Sequence, residues 1–132
     1  IVAGVLTTMV SIYLLSLAFG LNHAQYVTLL PKSITTAIGM GVSEKMGGIV
    51  TITVISISIT GILGNIVAEG FLKLLKIEEP IAKGLAIGTA SQALGTAKAM
   101  EIGEIEGAMS SLSIVVTGIL TVIAVSFFAP LI

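Results

Sequence analysis

The chain has 132 residues, 55% of them hydrophobic and 10% charged, with a mean hydropathy of +1.15 and a net charge of −1. A water-soluble domain carries about a quarter of its residues as charges, so the medium for most of this chain is lipid. The lack of a basic excess argues against nucleic acid as a partner, and the lack of cysteine excludes a disulfide framework or a thiolate metal site.

Ile1–Leu21 is apolar and uncharged, and about 20 such residues cross the hydrocarbon core of a bilayer. The chain opens on Ile1 inside that run, which reads as the C-terminal portion of a longer membrane protein. Asn22, His23 and Gln25 form a polar break, with Tyr26 expected at the membrane interface. Pro31 is expected in the first turn of the next helix.

Lys32–Gly48, KSITTAIGMGVSEKMGG, is the first unusual segment. Only the 11 residues Ser33–Ser43 separate its charges, too few for a conventional span. Gly47-Gly48 ends it and opens Ile49–Ala68, 20 residues without a charge. The β-branched content of that run favours a strand in water. In lipid an isolated strand leaves its backbone unpaired, so a helix is expected. Glu69, Lys73 and Lys76 mark its exit, and Pro80 is placed to begin the next helix.

Ile81–Met100 is the second unusual segment, the core of the stretch Gly84–Gly107. It runs 14 residues without charge before Lys98, yet is crowded with Gly, Ala, Ser and Thr. Such backbone enters a membrane only where protein or a water-filled cavity surrounds it. The expectation is therefore a broken or re-entrant helix at the centre of a transport site; crossing and re-entry both fit its length. An acidic link, Glu101–Glu106, leads to Gly107–Ile132, 26 uncharged residues that can span with tilt. Lys73, Lys76 and Lys83 around one loop would place that loop on the cytoplasmic side.

The parts recur. Thr35–Met46 sets against Thr89–Met100 at an offset of 54, and TGIL at Thr60–Leu63 returns at Thr117–Leu120 at an offset of 57. Each half, about 31–76 and 81–132, is a short Gly/Thr segment followed by a long apolar helix. Paired interrupted segments in two halves point to a transporter binding site. The fold class expected is an all-α polytopic transmembrane protein, a single domain with two broken or re-entrant segments in an internal repeat.

The runs PKSITTAIGMGVSEKMGGI, ITGILG, IAKGLAIGTASQALGTAKAMEIGEIEGAMSSL and the closing TGIL resemble the LrgB/CidB family of membrane proteins, from about Leu30 to the end. The resemblance implies two descriptions. Bacterial members are named as antiholin-like effectors of murein hydrolase activity and lysis, with LrgA/CidA-type holin-like partners. Plastid relatives are described as glycolate/glycerate transporters, and bacterial members are also linked to pyruvate. Two positions depart from the family pattern: Gln92 stands where His is common, and Ala37 where Pro is common. The first removes a titratable group; the second is expected to straighten the first unusual segment.

The chemistry expected of these segments is electrostatic. A half-helix that ends inside the membrane presents free N–H groups and the positive end of its dipole, an anion site. Thr35, Thr36, Thr89, Ser91, Gln92 and Thr96 supply donors, and Gly41 and Gly95 let a ligand approach the backbone. Against this, small-xxx-small spacing such as Gly84-xxx-Gly88 also serves helix packing, and any single glycine reads as packing. Lys98 pairs with Glu101, and Glu69 with Lys73, as structural ion pairs. His23 lacks companion ligands for a metal, no cofactor is implied, and no catalytic motif is present. The expected partners are the lipid bilayer of a bacterial plasma membrane, a small organic anion, a holin-like protein and a second copy of the chain.

Overall fold

The computed structural model describes residues 1–132 and is all-helical. The elements are α1 (Val2–Phe19), α2 (His23–Leu29), α3 (Thr36–Met46), α4 (Val50–Leu74), α5 (Pro80–Ile102) and α6 (Glu104–Phe128), closed by a 3-10 turn at Ala129–Leu131. Three helices are long and apolar enough to cross a membrane: α1, α4 and α6 with its closing turn.

Local chemistry explains most boundaries. Gly20 ends α1 in the left-handed conformation, as Gly47 ends α3, which costs a residue without Cβ little. The polar break becomes a reciprocal N-cap of α2. The Gln25 amide donates to the Asn22 side chain at 2.9 Å, and the Asn22 amide to the Gln25 side chain at 3.1 Å. Pro80 opens α5, whose Ala82 amide is capped by Glu79 at 2.7 Å. Pro31 instead lies in the turn before α3, because that turn continues to Thr35. Tyr26 is fully buried within the protein, at the level of the end of α6. Its hydroxyl donates to the Phe128 carbonyl at 2.8 Å and its ring meets Tyr13 edge-on, in a cluster with Met9, Leu30 and Val125.

The second unusual segment folds back on itself, and the first folds back against the helix that precedes it. In α5 the helix breaks at Gln92, the one residue with non-helical dihedrals (φ 51°, ψ −136°). Beyond the break the chain returns along its own first half. A Cβ added at Gly95 would lie 3.2 Å from the Ile87 carbonyl oxygen; eight residues of straight helix would separate the two by about 12 Å. Both halves also face the start of α6, Gly84 against Glu106 and Met100 against Gly107. The segment therefore re-enters rather than crosses. The first segment is a second hairpin made of α2 and α3, with its tip at Pro31–Thr35. Its arms meet at Gly39 against Pro31, and at Ser43 and Thr28, both held by the Thr53 hydroxyl.

Helix α4 joins the end of one hairpin to the start of the other. At about 1.5 Å per residue its 25 residues extend about 37 Å. The hairpins consequently enter from opposite ends of α4, and their tips meet beside its middle. Helix α6 runs antiparallel to it. Lipid supplies no hydrophobic drive between helices, so close packing and hydroxyl bonds hold the bundle. Thr53 pairs with Ser43 at 2.7 Å in one half, and Ser110 with Thr96 at 2.6 Å in the other.

The element order returns at a spacing of 57. Thr35 precedes α3 and Gln92 precedes the second half of α5, while Gly61 and Gly118 sit in mid-α4 and mid-α6. Each glycine admits a side chain from the other half: Leu94 against Gly61, and Ile38 against Gly118. The offset of 54 aligns letters but leaves Thr89 one turn short of its tip.

Candidate functional site

Where the tips meet, a partly open cavity of about 120 Å³ is lined by Thr35, Thr36, Ile57, Ser58, Gly61, Ser91, Gln92, Ala93 and Leu94. At roughly 30 Å³ per water it has room for about four waters, or a ligand of a few heavy atoms. Its lining combines hydroxyl and amide groups, from Thr35, Thr36, Ser58, Ser91 and Gln92, with apolar ones from Ile57, Ala93 and Leu94. No Lys, Asp or Glu lines it.

Two half-helices begin at this cavity. Helix α3 starts at Thr36 after an N-cap, Thr35, whose side chain accepts no capping bond. The amides of Thr36, Ala37 and Ile38 donate to no group of the chain. The second half of α5 starts at Ala93, directly after the break. Both macrodipoles thus bring their positive ends to one place. Ala37 lies within the regular first turn of α3, where nothing kinks the helix.

Gln92 is buried and holds a positive φ that non-glycine residues adopt at a cost of about 1–3 kcal/mol. Its Nε2 donates to the Lys32 carbonyl in the opposite tip at 3.4 Å. Gly64 of α4 lies so close to Ser91 that any side chain there would collide with it. The next residue, Asn65, donates from Nδ2 to the Leu94 carbonyl at 2.6 Å.

The residues singled out in the sequence separate into two groups. Thr35, Thr36, Ser91 and Gln92 come together at the cavity. The other four lie elsewhere. Thr96 is buried against α6, its hydroxyl donating to the Gln92 carbonyl at 2.8 Å and pairing with Ser110. Gly95 serves the hairpin, close to Ser91 and Ile87. Gly41 is exposed on α3 with open space around it. Thr89 faces a groove of about 530 Å³ between α1 and α5, with Gly4, Thr7 and Thr8. That groove is larger, but the hairpin tips do not reach it.

Sequence reasoning missed the part that α4 plays at the cavity. Ser58, Gly61, Gly64 and Asn65 were read only as parts of an apolar span. The available signals were one side-chain amide in the middle of that span and the glycine of the recurring TGIL. At the far end, Lys98 joins Glu101 at 3.1 Å as expected and also Glu69 of α4 at 3.4 Å. These bonds, the one to Glu101 foremost, raise the Lys98 pKa.

Three apolar crossing helices and two re-entrant hairpins with touching tips define a polytopic helical membrane protein. The LrgB-like family model matches residues 1–131, so the likeness includes α1, which by sequence reads only as an apolar helix. The chain belongs to the LrgB-like family. It is 40% identical over all 132 residues to the antiholin-like protein LrgB of Bacillus mycoides (strain KBAB4), and 39% identical to those of Bacillus cereus (strain B4264) and Bacillus anthracis (strain CDC 684 / NRRL 3495). It covers 57% of the length of each of these relatives. No solved structure matches the chain.

Proposed function

We propose that the chain forms the substrate-binding part of a transporter for small organic anions of the glycolate, glycerate or pyruvate type, a permease rather than an enzyme, in a bacterial plasma membrane. The observation that carries this reading is the convergence of two half-helix N-termini on one small cavity, with three unpaired amides in the first turn of α3. Unpaired N–H groups at membrane depth are costly unless a ligand or water takes them. A carboxylate accepts from several donors at once. Thr35, Thr36, Ser91 and Gln92 hold the carboxylate, and Ile57 and Leu94 face its carbon tail. The halves 31–76 and 81–132 act as two copies of one inverted unit, a reading supported by the recurrence at a spacing of 57. Thr89, Thr96, Gly41 and Gly95 lie away from the ligand. The test is uptake of labelled short carboxylates by proteoliposomes of the full-length protein; no saturable uptake of any of them sinks the reading.

The shared name of the relatives favours a second reading, a regulator of murein hydrolase export that acts through a holin-like partner. The outward apolar residues of α4, such as Ile55, Ile59 and Ile66, leave room for such helix contacts. Co-purification of a small multi-span partner, with no carboxylate flux from the isolated protein, is the outcome that would favour it.

A further inference from the structure

Between residues 50 and 68, helix α4 holds a single side-chain amide, Asn65, among hydrocarbon and hydroxyl side chains. The hydroxyls nearby are satisfied within the helix, Ser58 by the Val54 carbonyl and Thr60 by the Ser56 carbonyl. Asn65 instead reaches out of α4, and its Nδ2 donates to the Leu94 carbonyl at 2.6 Å. That carbonyl belongs to the first turn after the break at Gln92.

Gly61, Gly64 and Asn65 share one face of α4, since residues three and four apart lie side by side on a helix. That face straddles the break. Gly64 presses on Ser91 just before it, while Gly61 receives the Leu94 side chain just after it. The glycines set how near α5 comes, but contact of that kind does not by itself set how the half-helix is turned. A hydrogen bond is directional; Asn65 supplies the one from this face to the first turn of the half-helix, while Thr96 meets Ser110 of α6 and Lys98 meets Glu69 further along. The position 57 residues on is Val122, which has no donor, so repeat packing alone does not call for the amide.

We propose that Asn65 is a positioning residue: its bond to the Leu94 carbonyl keeps the second half of α5 turned so that its first-turn amides face the bound anion. This rests on the carboxylate-transport reading. An anion held by helix amides is sensitive to their aim, and a displacement of about 1 Å weakens such a site severely.

The test uses the full-length protein in proteoliposomes, with saturable uptake of glycolate and pyruvate as the kinetic readout. Amide hydrogen exchange over residues 97–100, whose N–H groups bond back to the carbonyls of that first turn, is the structural readout in detergent. Asn65→Leu keeps the branching of the side chain and removes the donor; it is expected to raise KM about tenfold, leave Vmax within about twofold and speed exchange over 97–100. Asn65→Gln, which retains an amide, recovers part of the KM. Thr60→Val, on the same helix but bonded within it, changes neither. If Asn65→Leu folds but keeps its KM and exchange while the wild type transports, the positioning role is overturned and transport stands. If the wild type takes up no carboxylate, yet Asn65→Leu still speeds exchange, the transport reading fails and Asn65 is only a packing residue. A variant that does not fold is replaced by Asn65→Ser, read by the same two measurements.

Discussion

The Gln92 side-chain amide, at the tip of one hairpin, donates to the Lys32 carbonyl at the tip of the other, 60 residues away in the chain. Gln92 makes this link from a strained backbone (φ 51°). Strain of that kind persists only where the surroundings enforce it. Gln92→Leu is expected to leave the protein inserted and folded while saturable uptake is lost. Gln92→Gly relieves the backbone strain, by about 1–3 kcal/mol, yet loses uptake in the same way. Uptake and thermal unfolding of the two variants check this, and unchanged uptake in either removes Gln92 from the site.

The cavity has donors but no charged lining residue, so one carboxylate fits it better than two. Short monocarboxylates at 100 times their dissociation constant should stabilise the detergent-solubilised protein by about 2.7 kcal/mol. Dicarboxylates of similar size should stabilise it far less, because the second charge finds no counter-ion. A thermal-shift panel decides between them.

Two glycines should respond in opposite directions. At Gly64 a Cβ would overlap Ser91, so Gly64→Ala must push α4 away from the hairpin tip; a loss of about 1–3 kcal/mol is expected. At Gly41, mid-helix and in open space, Gly41→Ala should add about 0.5–1 kcal/mol by removing chain entropy. Thermal unfolding reads both signs.

The Thr96 hydroxyl serves both the Gln92 carbonyl and Ser110. Thr96→Val leaves a buried hydroxyl unpaired and should destabilise the fold by about 1–3 kcal/mol. A double-mutant cycle with Ser110→Ala should show coupling of about 0.6 kcal/mol, as for other interhelical bonds in membranes. Purely additive losses would mean that the two hydroxyls do not interact.

The contact between mid-α4 and the first turn beyond the break in α5 can be tested by cross-linking. A Cβ at Gly61 would lie 3.2 Å from the Leu94 Cβ, close to the range that a disulfide bridges, about 3.5–4.5 Å. The chain has no cysteine of its own. Gly61→Cys with Leu94→Cys should therefore form one intramolecular disulfide on oxidation, detected after cleavage of the α4–α5 turn.

Much of this architecture was legible in the residues. Charge-free runs of about 20 can only be crossing helices where backbone must bond to itself, and α4 and α6 follow those runs. Gly47, Pro80 and the Asn22–Gln25 pair are boundary residues whose chemistry is local, so their roles could be read in order along the chain. Tyr26 could not be read that way. Its partner, the Phe128 carbonyl, is 102 residues distant, and nothing near Tyr26 announces it.

What composition and spacing determined alone is that two glycine-rich, hydroxyl-rich pieces interrupt the apolar crossing helices and call for protein or water around them, since lipid satisfies neither their amides nor their hydroxyls. Only the tertiary structure decided that one piece turns back on itself and the other against α2, that the tips meet at Gln92 and Lys32, and that α4 lines the cavity with them. It also separated Thr35, Thr36, Ser91 and Gln92 from Thr89, Thr96, Gly41 and Gly95. The physical reason is geometric. One reversed pair of dihedrals at Gln92 redirects everything after it, and the side chains beyond a break face wherever the returning helix happens to pack.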